Sequence, residues 1–121
     1  MMRMLTMLAH LQGQVLNASK LGESLGMTHP TMRRYIDILE HTFLVRVVKP
    51  YEINTKKRLV KSPKTYLRDT GILHRLLQIN SFSDLMGHPV FGSSWEGLVV
   101  ENIVAGLSDS QYGFFRSAKG Y

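Results

Sequence analysis

Two groups of cationic residues carry the most readable chemistry in this chain: Arg33 with Arg34, and the run Lys56, Lys57, Arg58 and Lys61. Ammonium and guanidinium groups at that density suit phosphate, and an arginine can also grip a base edge through two parallel hydrogen bonds. Blander readings stand beside these. Arg33 and Arg34 precede Asp37 at the spacing of helical ion pairs, and lysines often blunt an exposed strand edge. Other chemistries find less support. The five histidines, His10, His29, His41, His74 and His88, are scattered without a His-Glu-x-x-His pattern, and Asp37 with His41 would need a third ligand to hold a metal. There is no Gly-x-Ser-x-Gly elbow for a serine nucleophile. The absence of cysteine excludes thiolate catalysis, disulfides and cysteine zinc sites, and fits a reducing compartment.

The elements that must position the cations are legible upstream and downstream of them. Asn17 is expected to cap a short helix that carries Leu21 and Leu25, and Gly26 to supply the positive φ of a sharp turn. A second helix is expected from Thr28, with Pro30 in its first turn, where a missing N–H costs nothing. At about 100° per residue it gathers Met32, Tyr35, Ile36, Leu39 and Phe43 on one arc and leaves Arg33, Arg34, Asp37 and His41 on the other. Met4, Leu5, Leu8 and Leu11 repeat at helical spacing, so residues 2–12 are expected to form a third helix. A hairpin should follow, with strands at Phe43-Leu-Val-Arg-Val-Val and Lys57-Arg-Leu-Val-Lys and a turn at Asn54-Thr55. Three helices and a hairpin read as a winged helix over residues 1–62. In it Thr31, Arg33 and Arg34 would face a groove of duplex DNA, and Lys56, Lys57, Arg58 and Lys61 would lie along the phosphates. Winged helices also serve as docking modules, so fold alone does not decide between the two roles.

Composition points the same way. Residues 1–60 hold nine Lys/Arg against four Asp/Glu, whereas residues 61–121 hold six against five, so the excess behind the net charge of +6 lies with the helices and the wing. That asymmetry favours a polyanionic partner for the first half. At 121 residues and 44% apolar, the chain suits one domain or two small ones. No apolar run approaches the roughly eighteen residues of a membrane span, and the start lacks a secretory layout, so a cytoplasmic location without membrane contact is expected. The seven methionines suit core filling.

A second unit is expected from residue 63, because Lys61-Ser-Pro-Lys-Thr has the look of a boundary. A short extended piece at Thr65-Tyr-Leu-Arg should lead into a helix from about Asp69 with Ile72, Leu73, Leu76 and Leu77 buried. Residues 80–92 read as a loop with one helical turn. Ser93 and Glu96 have the spacing of a capping box, opening an apolar helix through Trp95-Glu-Gly-Leu-Val-Val-Glu-Asn-Ile-Val-Ala-Gly-Leu. A strand is expected at Gly113-Phe-Phe-Arg. Three stretches, Ser62-Pro-Lys-Thr-Tyr-Leu-Arg-Asp-Thr-Gly-Ile-Leu, Gly87-His-Pro-Val-Phe-Gly-Ser-Ser-Trp-Glu-Gly-Leu-Val-Val-Glu-Asn and Phe115-Arg-Ser, resemble a family of domains found C-terminal to AAA-type ATPase cores in bacteria and archaea. In that family a winged helix precedes a domain similar to the restriction-endonuclease fold. The resemblance implies a parent ATPase that uses ATP and Mg²⁺, with its nucleotide-binding part upstream of Met1. No Gly-x-x-x-x-Gly-Lys-Ser/Thr loop occurs in this chain to bind that nucleotide. The acidic strands of the family's nuclease-like domain would lie beyond Tyr121.

Glu96 is the weak catalytic candidate that remains. Around the helix it falls among Val99, Ile103 and Leu107 and should point inward, whereas Glu101, roughly 140° away, should point outward. A carboxylate against an apolar face must be paired or bind a metal. It closes the capping box at Ser93, pairs with Arg68 or Arg75, or serves a nuclease-like site that would need further acids for Mg²⁺. The expected fold class is α+β: an N-terminal winged helix-turn-helix over 1–62, then the opening part of a nuclease-like α/β unit over 63–121. By itself the chain is expected to be no enzyme and to hold no cofactor or metal. Its expected partners are duplex DNA, its own ATPase core and, through the apolar helix at 95–107, a second copy or another partner that covers that face. The runner-up is a docking module without DNA contact.

Overall fold

Asn17 fixes the start of the second helix by accepting a hydrogen bond from the Lys20 N–H at 3.0 Å, and Gly26 ends it at φ 67°. Only glycine takes that left-handed conformation without a steric penalty. In the computed structural model, which describes residues 2–50, 62–106 and 113, this helix is α2 (Ala18–Leu25), preceded by α1 (Met2–His10). Thr28 caps α3 (His29–His41), its hydroxyl accepting from the Thr31 N–H, and Pro30 lies in the first turn as expected. Strand β1 (Val45–Val48) follows, then β2 (Lys64–Leu67), α4 (Thr70–Leu76), α5 (Phe82–Met86) and α6 (Phe91–Ala105). The described residues form a mixed helical structure with one two-stranded antiparallel sheet, an α+β arrangement.

The three N-terminal helices pack as their apolar spacing requires. Met4 and Leu8 of α1, Leu21 of α2, and Met32, Ile36 and Leu39 of α3 meet in one core with Val45 and Leu67 from the sheet. Leu73 of α4 and Val90, just before α6, join the same core, so residues on both sides of position 62 share it. Phe43 departs from expectation. Helix α3 stops at His41, Phe43 takes φ 64°, and its ring is 73% exposed instead of continuing the buried arc. Its ring lies under the Arg68 guanidinium, 5.4 Å from centroid to Cζ.

β1 pairs with β2 in the register Val45↔Leu67, Arg46↔Tyr66, Val47↔Thr65 and Val48↔Lys64. The strand expected at 57–61 and the turn at Asn54-Thr55 lie outside the described residues, as does the strand expected around Phe114. The partner that β1 takes is the extended piece expected at Thr65, so the pairing crosses the 62/63 division. Segment 12–16 covers the outer edge of β2. The Gly13 N–H donates to the Thr65 carbonyl at 2.9 Å, the Leu16 N–H to the Pro63 carbonyl at 2.8 Å, and Val15 bridges Lys64. Gln12, 1% exposed, completes the edge with its side-chain amide, accepting from the Leu67 N–H at 2.7 Å and donating to the Leu67 carbonyl at 3.3 Å. A buried amide that meets both its backbone needs in this way avoids the penalty of an unpaired polar group.

Asp69 caps α4 with two hydrogen bonds, from the Gly71 and Ile72 N–H groups, and Leu73 is fully buried, whereas Ile72 is 41% exposed. Residues 80–92 contain the short α5, capped by Ser81, and the start of α6. Among the described residues no helix is long and apolar enough to cross a membrane.

Candidate nucleic-acid interface and the seam behind it

α3 presents Thr31, Arg33 and Arg34 on its exposed side, because Met32, Ile36 and Leu39 anchor the opposite side in the core. The tight turn at Gly26 and the cap at Thr28 set the angle at which α3 leaves α2. Among the described residues no ion pair joins Arg33 or Arg34 to Asp37. Thr31 shares a hydroxyl contact of 3.0 Å with Thr28, which holds it at the start of the helix. Arg33 also lines a cleft with His29, Asp37, Glu40 and Lys49, so acids temper the positive potential toward the C-terminal half of α3. His41 turns its Nδ1 onto the Asp37 carbonyl at 2.6 Å. Among the described residues no cluster of His, Asp and Glu is arranged to hold a metal. Lys56, Lys57, Arg58 and Lys61 lie outside the described residues. They belong to the connection between the paired residues Val48 and Lys64.

Behind the sheet lies a polar seam that sequence reasoning missed. Arg46, Tyr66 and Arg68 project from one side of the hairpin toward α6. Glu101 accepts from Arg46 through Nε and, at 3.3 Å, through Nη2, and from Arg68 Nε at 3.1 Å. The Glu101 side chain is only 19% exposed. Burial pushes its carboxyl up, but hydrogen bonds and charge from Arg46 and Arg68 outweigh burial and hold it below its ordinary value. Glu96 accepts from the Tyr66 hydroxyl and pairs with Lys64 Nζ at 3.4 Å. Burial, then the hydrogen bond and charge of Glu96, raise the Tyr66 hydroxyl well above its usual value.

The two acids of α6 therefore exchange the roles expected for them: Glu101 is inside, and the Glu96 side chain is 45% exposed. The helix begins at Phe91 after Val90, without a side-chain cap, so Ser93 and Glu96 form no capping box. Its buried positions are the small residues Ser94 and Gly97. A Cβ at Gly97 would stand 2.8 Å from Gln12 Nε2 and 3.3 Å from Tyr66 Cδ1, so the close approach of α6 to the hairpin selects small side chains there. The apolar row of α6 consequently faces away: Trp95 is 64%, Leu98 42% and Ile103 57% exposed. Hydrogen-bonded to Tyr66, paired with Lys64 and, among the described residues, part of no group of three or more metal-ligating side chains, Glu96 has the geometry of a structural pair. The alternation Arg46/Val48 and Lys64/Tyr66/Arg68 on the two strands was the signal that could have located the seam.

A second groove lies between α4, α5 and α6, lined by Phe82, Leu85, Phe91, Trp95 and Leu98, with His74 and Ser94 at its polar end. His74 Nε2 and Ser94 Oγ are 2.7 Å apart. Burial, followed by the charge of His88, lowers the His74 imidazole, favouring its neutral form.

With this geometry in place, similarity to known proteins adds a lineage. The model of a family described as Domain of unknown function (DUF8612) matches residues 1–83, from α1 into α5. Two curated relatives, the uncharacterized protein Rv2008c of Mycobacterium tuberculosis and the uncharacterized protein Mb2031c of Mycobacterium bovis, are each 43% identical over 117 residues. Those matches cover 97% of this chain and 26% of each relative, so the chain spans about a quarter of the length of the curated relatives it matches. No solved structure matches it.

Proposed function

We propose, from the premise that this chain belongs to the DUF8612 family, that it contacts duplex DNA through a winged helix as an accessory region of an AAA-type ATPase. The observation that carries the DNA reading is the capped pair α2–α3, which leaves Thr31, Arg33 and Arg34 exposed together on a helix whose other side is locked in the core. A helix held in this way can enter a major groove with its N-terminal residues at the base edges. The β1–β2 pairing supports the wing reading. The sequence between Val48 and Lys64 includes Lys56, Lys57, Arg58 and Lys61, cations suited to the phosphate contacts that a wing makes. The ATPase context rests on the resemblance of residues 62–73 and 87–102 to domains that follow such cores. ATP and Mg²⁺ would be bound by that core, and this region itself would be no enzyme.

Changing Arg33 and Arg34 together to Ala tests the reading by fluorescence anisotropy on duplex DNA. Both are exposed, so the fold should survive, and loss of a base-contacting arginine costs about 1–3 kcal/mol, a weakening of tenfold or more for the pair. Unchanged affinity would remove α3 from the interface. A second reading, docking on the ATPase core or another protein, is favoured by one observation, the exposed apolar row of α6.

A further inference from the structure

We propose that the exposed row of α6, with the groove beside it, is the docking surface for a second copy of this chain. Trp95, Val99 and Ile103 recur every four residues, and Leu98 lies beside them, so they form one strip along the helix. Phe82 and Phe91 extend the strip into the groove that Trp95 and Leu98 also line. At the roughly 150–250 Å² that a large side chain offers, the exposed fractions of these six residues amount to about 600 Å². That is at the upper end of the apolar patches single proteins leave open, and about three quarters of what each partner contributes to a standard interface.

The absence of charge fits a second copy as the occupant. A two-fold axis brings each side chain near its own copy, so a self-docking strip must be almost free of charge, whereas a charged partner would need opposite charges to meet. The strip contains no Lys, Arg, Asp or Glu. Glu96, at its edge, is engaged by Tyr66 and Lys64, and Glu101 is held by Arg46 and Arg68 on the hairpin side. Two such helices packed antiparallel place Trp95 of one copy against the partner's Ile103, with Val99 near the axis. Arg33 lines a different cleft, between α3 and β1, so pairing through α6 leaves it open in both copies. The DNA consequence rests on the function proposed above: two helix-turn-helix units would suit paired half-sites about one helical turn apart.

Sedimentation of the chain without DNA tests the docking apart from the DNA reading. A species of twice the 13.8 kDa chain mass is expected at micromolar concentration. The emission of Trp95, the one tryptophan, should shift to the blue over the same concentration range. Trp95→Glu and Ile103→Glu, both at exposed positions, should each weaken association at least tenfold while keeping the far-UV spectrum, and Met2→Glu, exposed elsewhere, should not. A monomer up to about 100 μM with unshifted emission would overturn the proposal. So would a dimer that both α6 variants leave intact.

Discussion

Glu101 ties α6 to the hairpin through Arg46 of β1 and Arg68 just after β2, so its removal should be felt well beyond one ion pair. Glu101→Gln leaves Arg46 and Arg68 facing a neutral amide, and we expect a destabilisation of about 1–3 kcal/mol, below the 3–5 of a fully buried pair because all three groups retain some exposure. Thermal unfolding at pH 7 checks it. The carboxyl is held low in the folded state, so its stabilisation is present above the unfolded value of about 4.3 and is lost as pH falls below that through the folded value. His74 is also lowered on folding, so its contribution is present above about pH 6.5 and declines as pH falls. The melting temperature should therefore fall in two stages on acidification. Glu101→Gln should flatten the lower stage and His74→Gln the upper.

Helices α2 and α3 and the start of α4 were legible in the sequence because their determinants are local: Asn17, Gly26, Thr28 and Asp69 act within a few residues of themselves. Asn17→Ala should cost about 1 kcal/mol by denaturant titration, the ordinary worth of an N-cap. α6 was legible as a helix but not in its orientation. The density of large apolar residues pointed to one side, and the side that packs is set by Gly97 against Gln12 and Tyr66 and by Ser94 against His74, neighbours some twenty to eighty-five residues away in sequence that no local pattern encodes. Gly97→Ala tests this. Gln12 cannot retreat without giving up its two bonds to Leu67, so we expect a cost of about 1–3 kcal/mol, although alanine is the better helix former by about 1. A neutral or stabilising result would mean that α6 lies farther from the hairpin. The end of α3 was likewise misjudged at Phe43, where a left-handed turn starts the strand and ends the helical period.

At the scale of the whole molecule, a single core joins the N-terminal helices, the hairpin and α4, so the surface that α3 offers is carried by a body longer than the helix-turn-helix itself. The cations of α3 were found from sequence and are exposed in the structure, whereas the polar seam, built from three separated segments, was not found. Duplex DNA binding by fluorescence anisotropy across a salt series decides whether this region engages DNA. It compares the chain with a variant carrying Ala at Lys56, Lys57, Arg58 and Lys61. Affinity should fall with salt on a slope of several ions, and the variant slope should be flatter by roughly 0.9 for each phosphate that it no longer neutralises. Equal, weak and parallel binding by both proteins would contradict the DNA reading.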